Sequence, residues 1–111
     1  EAVAEGAARH RGISIGLLPD TGPDPANPWL THVIATGIGE ARNAIIARAA
    51  FCLVAIGDSH GTLSEVALGL QFGKRVFGLA GATTVEGVTI LTDADAAIDA
   101  VAQLVAAQAA D

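Results

Sequence analysis

The stretch FCLVAIGDSHGTLSEVALGLQFGKRVFGLA, residues 51–80, decides the fold. Its first residues, Phe51–Ile56, form an unbroken apolar run, which is typical of a strand buried on both faces. A second apolar strand is predicted over Arg75–Leu79, after a helix that stops at Gly73. The apolar face of that helix is predicted to consist of Leu63, Val66, Ala67 and Leu70. Two strands joined by a helix run parallel, so this stretch predicts one repeat of an α/β sheet.

The turn Gly57–Gly61, between the first strand and the helix, is where a ligand site is expected. Ligands of parallel sheets bind at the carboxyl ends of the strands. Backbone N–H groups of a glycine-containing turn and of the following helix N-terminus can hold an anion such as phosphate. A plain tight turn between strand and helix explains the same residues. The spacing of Thr62 and Glu65 predicts a capping box, with Thr62 as N-cap, which gives Glu65 a purely structural role.

The remaining sequence continues the alternation of helices and strands. Helices are predicted over residues 1–11, Glu40–Ala49 and Ala96–Ala107, the last with Thr92 as its cap, and strands over Ile13–Leu18, Trp29–Ala35 and Val88–Leu91. All four prolines fall within residues 19–28, which predicts an irregular loop there. The sequence therefore predicts an α/β fold: an open, mostly parallel sheet flanked by helices, in a single domain over residues 1–111.

Composition excludes several classes of partner. The chain has 6 basic and 12 acidic residues, a formal net charge of -6, so neither nucleic acid nor an anionic membrane is expected as a partner. A single cysteine, Cys52, excludes an internal disulfide framework and fits the reducing cytoplasm. No apolar run has the length of a membrane span, and no signal peptide is visible. We therefore expect a cytoplasmic location.

Few side chains suggest chemistry. Arg42 is predicted in the first turn of its helix, where the helix dipole disfavours a cation, so it is either a functional residue or a solvated surface arginine. His60 is either a solvated side chain at a loop tip or a proton-transfer group. His10 and His32 have no partner at a spacing typical of metal ligands, so no metal site is expected. Ser59 lacks the setting of a nucleophile.

The motif GDSHGTLSE, residues 57–65, together with Arg42 upstream, resembles the LOG-type family, which is also called lysine decarboxylase-like. The signature of that family is PGGxGTxxE with an upstream arginine, and its spacing matches here without a gap. Residues 27–79 are more similar to a DprA-related bacterial branch that includes molybdenum cofactor carrier-like proteins. The resemblance implies a Rossmann-like nucleotide-binding fold. Family members begin with a strand and a glycine-rich loop, so we expect this domain to be incomplete at its N-terminus.

The resemblance also implies a site and an activity. A phosphorylated ligand, such as a nucleotide or a molybdopterin-type cofactor, is expected at Gly57, Asp58, Ser59, His60, Gly61 and Thr62. LOG enzymes cleave the N-glycosidic bond of nucleoside 5′-monophosphates, which makes Arg42 and Glu65 the candidate catalytic pair. Asp58 stands where the family has glycine, so its carboxylate would lie beside the expected phosphate. Like charges about 4 Å apart repel by roughly 4 kcal/mol at an effective dielectric constant of about 20, which would weaken phosphate binding.

Three functions follow as alternatives: cofactor binding, phosphoribohydrolase activity, and a non-catalytic role in assembly. A homo-oligomer, either dimer or tetramer, is also expected. The reason is that the small apolar helices Glu40–Ala49 and Leu63–Phe72 offer more apolar surface than one thin sheet covers.

Overall fold

Two units, Glu1–Arg42 and Asn43–Asp111, make up the chain. The computed structural model describes residues 2–20, 27–79, 81–82 and 85–110. The first unit contains α1 (Ala2–Arg9), β1 (Ile15–Leu18) and β2 (His32–Ala35), and a short 3-10 helix, Gly39–Ala41, leads into α2 (Arg42–Ala49). The second unit continues with β3 (Cys52–Ile56), α3 (His60–Gln71), β4 (Arg75–Leu79), β5 (Val88–Ile90) and α4 (Ala94–Ala110).

In the first unit, β1 and β2 pair in parallel, with Ile15 opposite His32. The predicted strand Trp29–Ala35 begins only at His32, because Trp29 lies in a turn. The guanidinium of Arg9 lies over the Trp29 ring, 5.3 Å from its centre. The tryptophan is therefore a packing residue of this unit. Most of the predicted proline-containing loop, residues 21–26, lies outside the described residues.

In the second unit, the strand order is β3-β4-β5, and both pairings are parallel. The apolar core on one face of this sheet consists of Ala55, Val66 and Val76, so α3 packs against β3 and β4. Phe77, the neighbour of Val76 along β4, faces the opposite side, where it shares a groove with α4. The prediction of an α/β fold with parallel strands flanked by helices is confirmed, and the strands are distributed over two sheets.

The close approach of α3 to the sheet depends on Gly69. A Cβ at this position would collide with Leu53 Cδ1 and lie 3.3 Å from Val76 Cγ2. The buried face of α3 is therefore Val66 with Gly69. The predicted face is right for Val66 but wrong for Ala67, which is exposed, and for Leu63, which is 37% exposed. In a helix of small residues, the residue that lets the backbones approach sets the packed face.

Two other helices also bury faces that the sequence pattern did not predict. In α2 the helical spacing predicts a stripe of Ala41, Ala44, Ile45 and Arg48. The buried residues are instead Asn43 and Ala47, and Ile45 is 44% exposed. In α4 the spacing predicts an apolar face of Ile98, Val101, Leu104 and Val105. The buried residue is instead Ala97, and Ile98 is 64% exposed. The predicted cap at Thr92 is also wrong, since the N–H of Ala96 donates to Asp93 Oδ1 at 2.8 Å. Alanine packs on any face, so it gives little indication of which side of a helix is buried.

No helix in the described part of the chain has the length and hydropathy needed to cross a membrane.

Candidate ligand-binding site

The turn after β3 lies at the carboxyl ends of β3 and β4, as the sequence predicts. Gly57 has φ +85°, a left-handed conformation that glycine adopts without steric cost. Its N–H donates to the carbonyl oxygen of Leu79 at 3.2 Å, so the turn begins where the β3–β4 ladder ends. Gly57 therefore changes the direction of the chain from the strand into α3.

Ser59, not Thr62, is the N-cap of α3. Its backbone is extended (φ -62°, ψ 158°), and its Oγ accepts a hydrogen bond from the N–H of Thr62 at 3.1 Å. The hydroxyls of Ser59 and Thr62 are 2.9 Å apart and share a second hydrogen bond. The predicted Thr62–Glu65 capping box is therefore wrong, because α3 begins at His60 and Thr62 already lies in its first turn.

The first turn of α3 presents backbone donors to the space above the sheet. The N–H groups of His60 and Gly61 precede the first intrahelical hydrogen bonds, so the helix supplies no acceptor for them. The positive end of the helix dipole lies at the same place and favours an anion. This arrangement provides two backbone donors for an anionic group.

Gly61 leaves room for such a group beside the backbone. A Cβ built there meets only Ser59 Oγ, at 4.0 Å, and the residue has ordinary helical backbone geometry. Neither packing nor conformation within the described chain requires glycine here, although glycine in a helix costs about 0.5–1 kcal/mol relative to alanine. At the N-terminus of α3, Gly61 therefore leaves open space in which a ligand can approach the backbone.

Glu65 lies one helical turn beyond Gly61 on the same face of α3, since residues four apart on a helix are neighbours. Helical side chains lean toward the N-terminal end of their helix, which directs the side chain of Glu65 toward the turn. The residue is half-buried and takes part in an interaction of its own. Because α3 begins at His60, Glu65 is not the third helical residue that a capping box requires.

Asp58, Ser59 and His60 are all exposed, whereas Gly57, Gly61 and Thr62 are half-buried. The structure thus brings the six predicted binding residues together as one continuous turn. Asp58 is the acidic residue of this turn. Because it is exposed, water screens its charge almost as strongly as in bulk solvent. His60 is exposed and is the first residue of α3, so it lies at a helix N-terminus and not at the tip of a loop, as the sequence suggested.

Arg42 belongs to the first unit and makes a contact that the sequence did not predict. Its Nη1 donates to the carbonyl oxygen of Leu17 in β1 at 2.5 Å. Its Nε is buried and has no hydrogen-bond partner among the described residues. Arg42 is therefore not a solvated surface arginine. Its guanidinium satisfies a strand carbonyl, which offsets the unfavourable position at the start of α2.

Two polar residues, one in α2 and one directly after β2, were also not predicted from the sequence. Asn43 is only 1% exposed and has an interaction partner. Thr36 Oγ1 donates to the carbonyl oxygen of Leu18 at 2.6 Å, at the carboxyl end of β1. The only available signal for Asn43 was its spacing of four residues from the buried Ala47.

The described residues contain no group of three or more histidine, cysteine, aspartate or glutamate side chains placed to hold a metal ion. The groups present at the turn are backbone N–H donors, the hydroxyls of Ser59 and Thr62, and the carboxylates of Asp58 and Glu65.

The chain is similar to one protein family and to several solved structures. The family model described as the SLOG cluster4 family matches residues 1–109. The structure of the molybdenum cofactor binding protein from the phototrophic bacterium Rippkaea orientalis is similar with a TM-score of 0.83 and 29% sequence identity, over 95% of this chain and 70% of that chain. The molybdenum cofactor carrier protein from Chlamydomonas reinhardtii is similar with a TM-score of 0.78 and 37% identity, over 93% of this chain and 68% of that chain.

An uncharacterised protein of Archaeoglobus fulgidus is 35% identical over 99 residues. The match covers 89% of this chain but only 65% of the Archaeoglobus protein, so the chain spans about two thirds of that relative. The solved structures confirm the α/β fold. The family model, together with these structures, confirms the resemblance to the LOG-like superfamily that the motif spacing predicted.

Proposed function

Because this chain belongs to the SLOG cluster4 family, we propose that it binds a phosphorylated cofactor of the molybdopterin type at the Gly57–Thr62 turn. The Rippkaea and Chlamydomonas proteins that it resembles are a molybdenum cofactor binding protein and a molybdenum cofactor carrier protein. The observation that carries the proposal is Gly61, a helical glycine that neither backbone conformation nor packing requires and that leaves open space at the N-terminus of α3.

The residues of the turn fit the phosphate of such a cofactor. The N–H groups of His60 and Gly61 would donate to phosphate oxygens, and the dipole of α3 would favour the charge. Ser59 fixes the direction of these donors by capping the helix. The cofactor itself supplies the molybdenum centre, so the role of this chain would be to bind and position it. A nucleotide phosphate would make the same contacts.

Titration of the chain tests this proposal. Molybdenum cofactor, adenosine monophosphate and inorganic phosphate are added separately, and binding is followed by isothermal calorimetry. We expect saturable binding of the cofactor or the nucleotide, with inorganic phosphate as a weak competitor. If none of the three ligands gives saturable binding, the proposal is wrong. Tight binding that inorganic phosphate does not weaken would place the ligand away from the turn.

A second candidate function is hydrolysis of a nucleoside 5′-monophosphate, as in LOG-type enzymes. The observation that favours it is the position of Glu65, half-buried one turn beyond Gly61 and not used as a capping residue. In this reaction water replaces the base, so AMP would give adenine and ribose 5-phosphate. Glu65 would assist cleavage of the N-glycosidic bond, and Arg42 would orient the substrate.

Incubation with AMP distinguishes the two functions, because only the hydrolase releases adenine. Glu65→Gln removes the charge of the carboxylate and keeps the size of the side chain, so hydrolysis should fall by about a hundredfold or more. Glu86→Gln, an exposed change outside the turn, is the matched control. Hydrolysis that survives Glu65→Gln unchanged would contradict this mechanism, and cofactor binding without adenine release would leave the carrier function.

We also propose that the protein is a cytoplasmic homo-oligomer, either dimer or tetramer. In support, Ile45 on α2 and Leu63 on α3 are 44% and 37% exposed, and both lie on helices whose apolar surface exceeds what the sheet covers. Light scattering coupled to size exclusion measures the mass directly. A monomer at all concentrations would contradict this proposal.

A further inference from the structure

A groove in the second unit lies at the end of the sheet opposite the Gly57–Thr62 turn. It runs between the amino end of β4 and the C-terminal half of α4, and its main lining residues are Phe51, Lys74, Arg75, Phe77, Leu104 and Ala107. One part encloses about 290 Å³ and an adjoining part about 200 Å³. Five-residue strands such as β3 and β4 separate it from the turn by roughly 13 Å. The groove is therefore distinct from the candidate site described above.

The polar side of the groove is positively charged. Lys74 and Arg75 are two of the chain's six basic residues, and among the described residues no aspartate or glutamate lines either part of the groove. Neither cation forms an ion pair with any residue in the described part of the chain. In a chain with twice as many acidic as basic residues, two adjacent cations without carboxylate partners indicate a local site for an anion.

The structural role of each cation differs. Lys74 follows the C-terminal end of α3, where a cation stabilises the helix dipole, so its position has a structural explanation. Arg75 lies in β4, and its guanidinium is 5.6 Å from the centre of the Phe77 ring. The ring holds the guanidinium beside the groove without neutralising it. The charge of Arg75 is therefore not accounted for by the fold.

The remaining lining is mostly apolar, with Gln103 and Gln108 as further polar residues, and it includes a half-exposed aromatic ring. Phe51 is 45% exposed at the rim of the larger part, and Leu104 and Ala107 of α4 line the same part. Leu104 and Ala107 also continue into the smaller part, where Phe77 is buried at its base. A volume near 300 Å³ lies at the lower end of small-molecule sites. The groove therefore combines a flat apolar surface with two cations.

We propose that this groove is a second binding site, which takes a small aromatic carboxylate or a comparable organic anion. The ring of the ligand packs between Phe51 and Leu104, and its anionic group is bound by Lys74 and Arg75. Charge-assisted hydrogen bonds from two cations and burial of one ring supply the affinity.

Nuclear magnetic resonance of the isotope-labelled chain tests the proposal, with naphthoate as the anionic probe and naphthalenemethanol as its neutral analogue. We expect saturable shifts of the Gly73, Lys74 and Arg75 amides with naphthoate, and binding of the alcohol that is about tenfold weaker or more. Equal binding of the two probes would show that apolar contacts alone hold the ligand, and it would overturn the proposal. Shifts centred on residues 57–62 would do the same, because they would assign the anion to the turn.

Two pairs of variants locate the binding. The double change Lys74→Gln/Arg75→Gln should weaken naphthoate binding about tenfold, whereas Arg9→Gln/Arg11→Gln, with the same change in net charge, should leave it unchanged. Ala107→Glu keeps both cations and places a carboxylate in the groove, so it should also weaken binding, and Ala109→Glu on the same helix is its control. Naphthoate affinity that resists both groove changes overturns the proposal. A glutamate-rich peptide that binds at the groove while naphthoate does not would assign it to a protein partner instead, and would also overturn the proposal.

Discussion

The Oγ of Ser59 accepts a hydrogen bond from the N–H of Thr62 at 3.1 Å, and this contact fixes where α3 begins. Because the helix starts at His60, its first N–H groups have no acceptor within the helix. They lie beside the carboxyl ends of β3 and β4. The same contact removes the capping explanation for Glu65. One hydroxyl therefore orients the candidate anion site and sets the position of Glu65 within the helix.

Ser59→Ala tests the importance of this cap. Loss of the hydroxyl acceptor should lower the free energy of unfolding by about 1 kcal/mol, the usual cost of removing a serine N-cap. Urea unfolding followed by circular dichroism measures this change. Ser64→Ala, at an exposed position inside the same helix, is the matched control and should be neutral or slightly stabilising. An unchanged stability of Ser59→Ala would contradict the observed start of the helix.

Gly61→Ala separates binding from stability. The added methyl group meets only Ser59 Oγ at 4.0 Å, so the free energy of unfolding should be unchanged or raised by up to about 1 kcal/mol. A ligand phosphate bound against the backbone would lose its place, and affinity should fall about tenfold or more. Calorimetric titration and thermal unfolding of the same sample give both quantities.

Gly6→Ala provides the control for that experiment. Gly6 is also a helical glycine, in α1, and a Cβ there meets nothing within 4 Å. Its replacement should have a similar effect on stability and none on ligand affinity. A ligand that binds Gly61→Ala as well as the natural chain does not approach the backbone at this turn.

The α/β alternation could be predicted because apolar runs of strand length alternate with helical patterns. The bounds predicted for β4, Arg75–Leu79, agree with the structure. The predicted N-cap of α3 was wrong by three residues, because Thr62 with Glu65 and Ser59 with Thr62 both have the spacing of a cap. Sequence alone does not decide between two overlapping caps, since the choice depends on where the preceding strand ends.

The candidate site could be predicted as a turn but not as a set of contacts. The position of residues 57–62 follows from the strand–turn–helix pattern, which is local. The partner of Arg42 is the carbonyl of Leu17, 25 residues earlier, and a backbone acceptor leaves no trace in the side-chain sequence. The packed face of α3 depends on Gly69, whose role appears only when Leu53 and Val76 are placed opposite it.

Asp58→Asn should strengthen binding of an anionic ligand at the turn. The side chain is exposed, so its repulsion of a phosphate about 4 Å away is screened nearly as in water and amounts to about 1 kcal/mol, rather than the 4 kcal/mol expected for a partly buried pair. Affinity should therefore rise about fivefold at low salt, and the gain should shrink as the salt concentration increases.

Asp99→Asn, an exposed change of the same charge in α4, is the control and should leave the affinity unchanged. A loss of affinity in Asp58→Asn would mean that the carboxylate contacts the ligand, for example as a hydrogen-bond acceptor, and would contradict simple repulsion.

Arg42→Gln tests whether the guanidinium supports the first unit. The change removes the charge-assisted hydrogen bond to the carbonyl oxygen of Leu17, so the free energy of unfolding of this unit should fall by about 1–2 kcal/mol. Fluorescence of Trp29, the only tryptophan, reports this unit during urea unfolding. Arg11→Gln, at an exposed position, should change the stability by less than about 0.5 kcal/mol.

Arg42→Lys should recover part of the loss, because an ammonium group donates to one carbonyl but lacks the planar, fixed donors of arginine. If Arg42→Gln is as stable as Arg11→Gln, the hydrogen bond to Leu17 does not stabilise the first unit. Arg42 is then either a solvated side chain or a residue that acts only on a ligand.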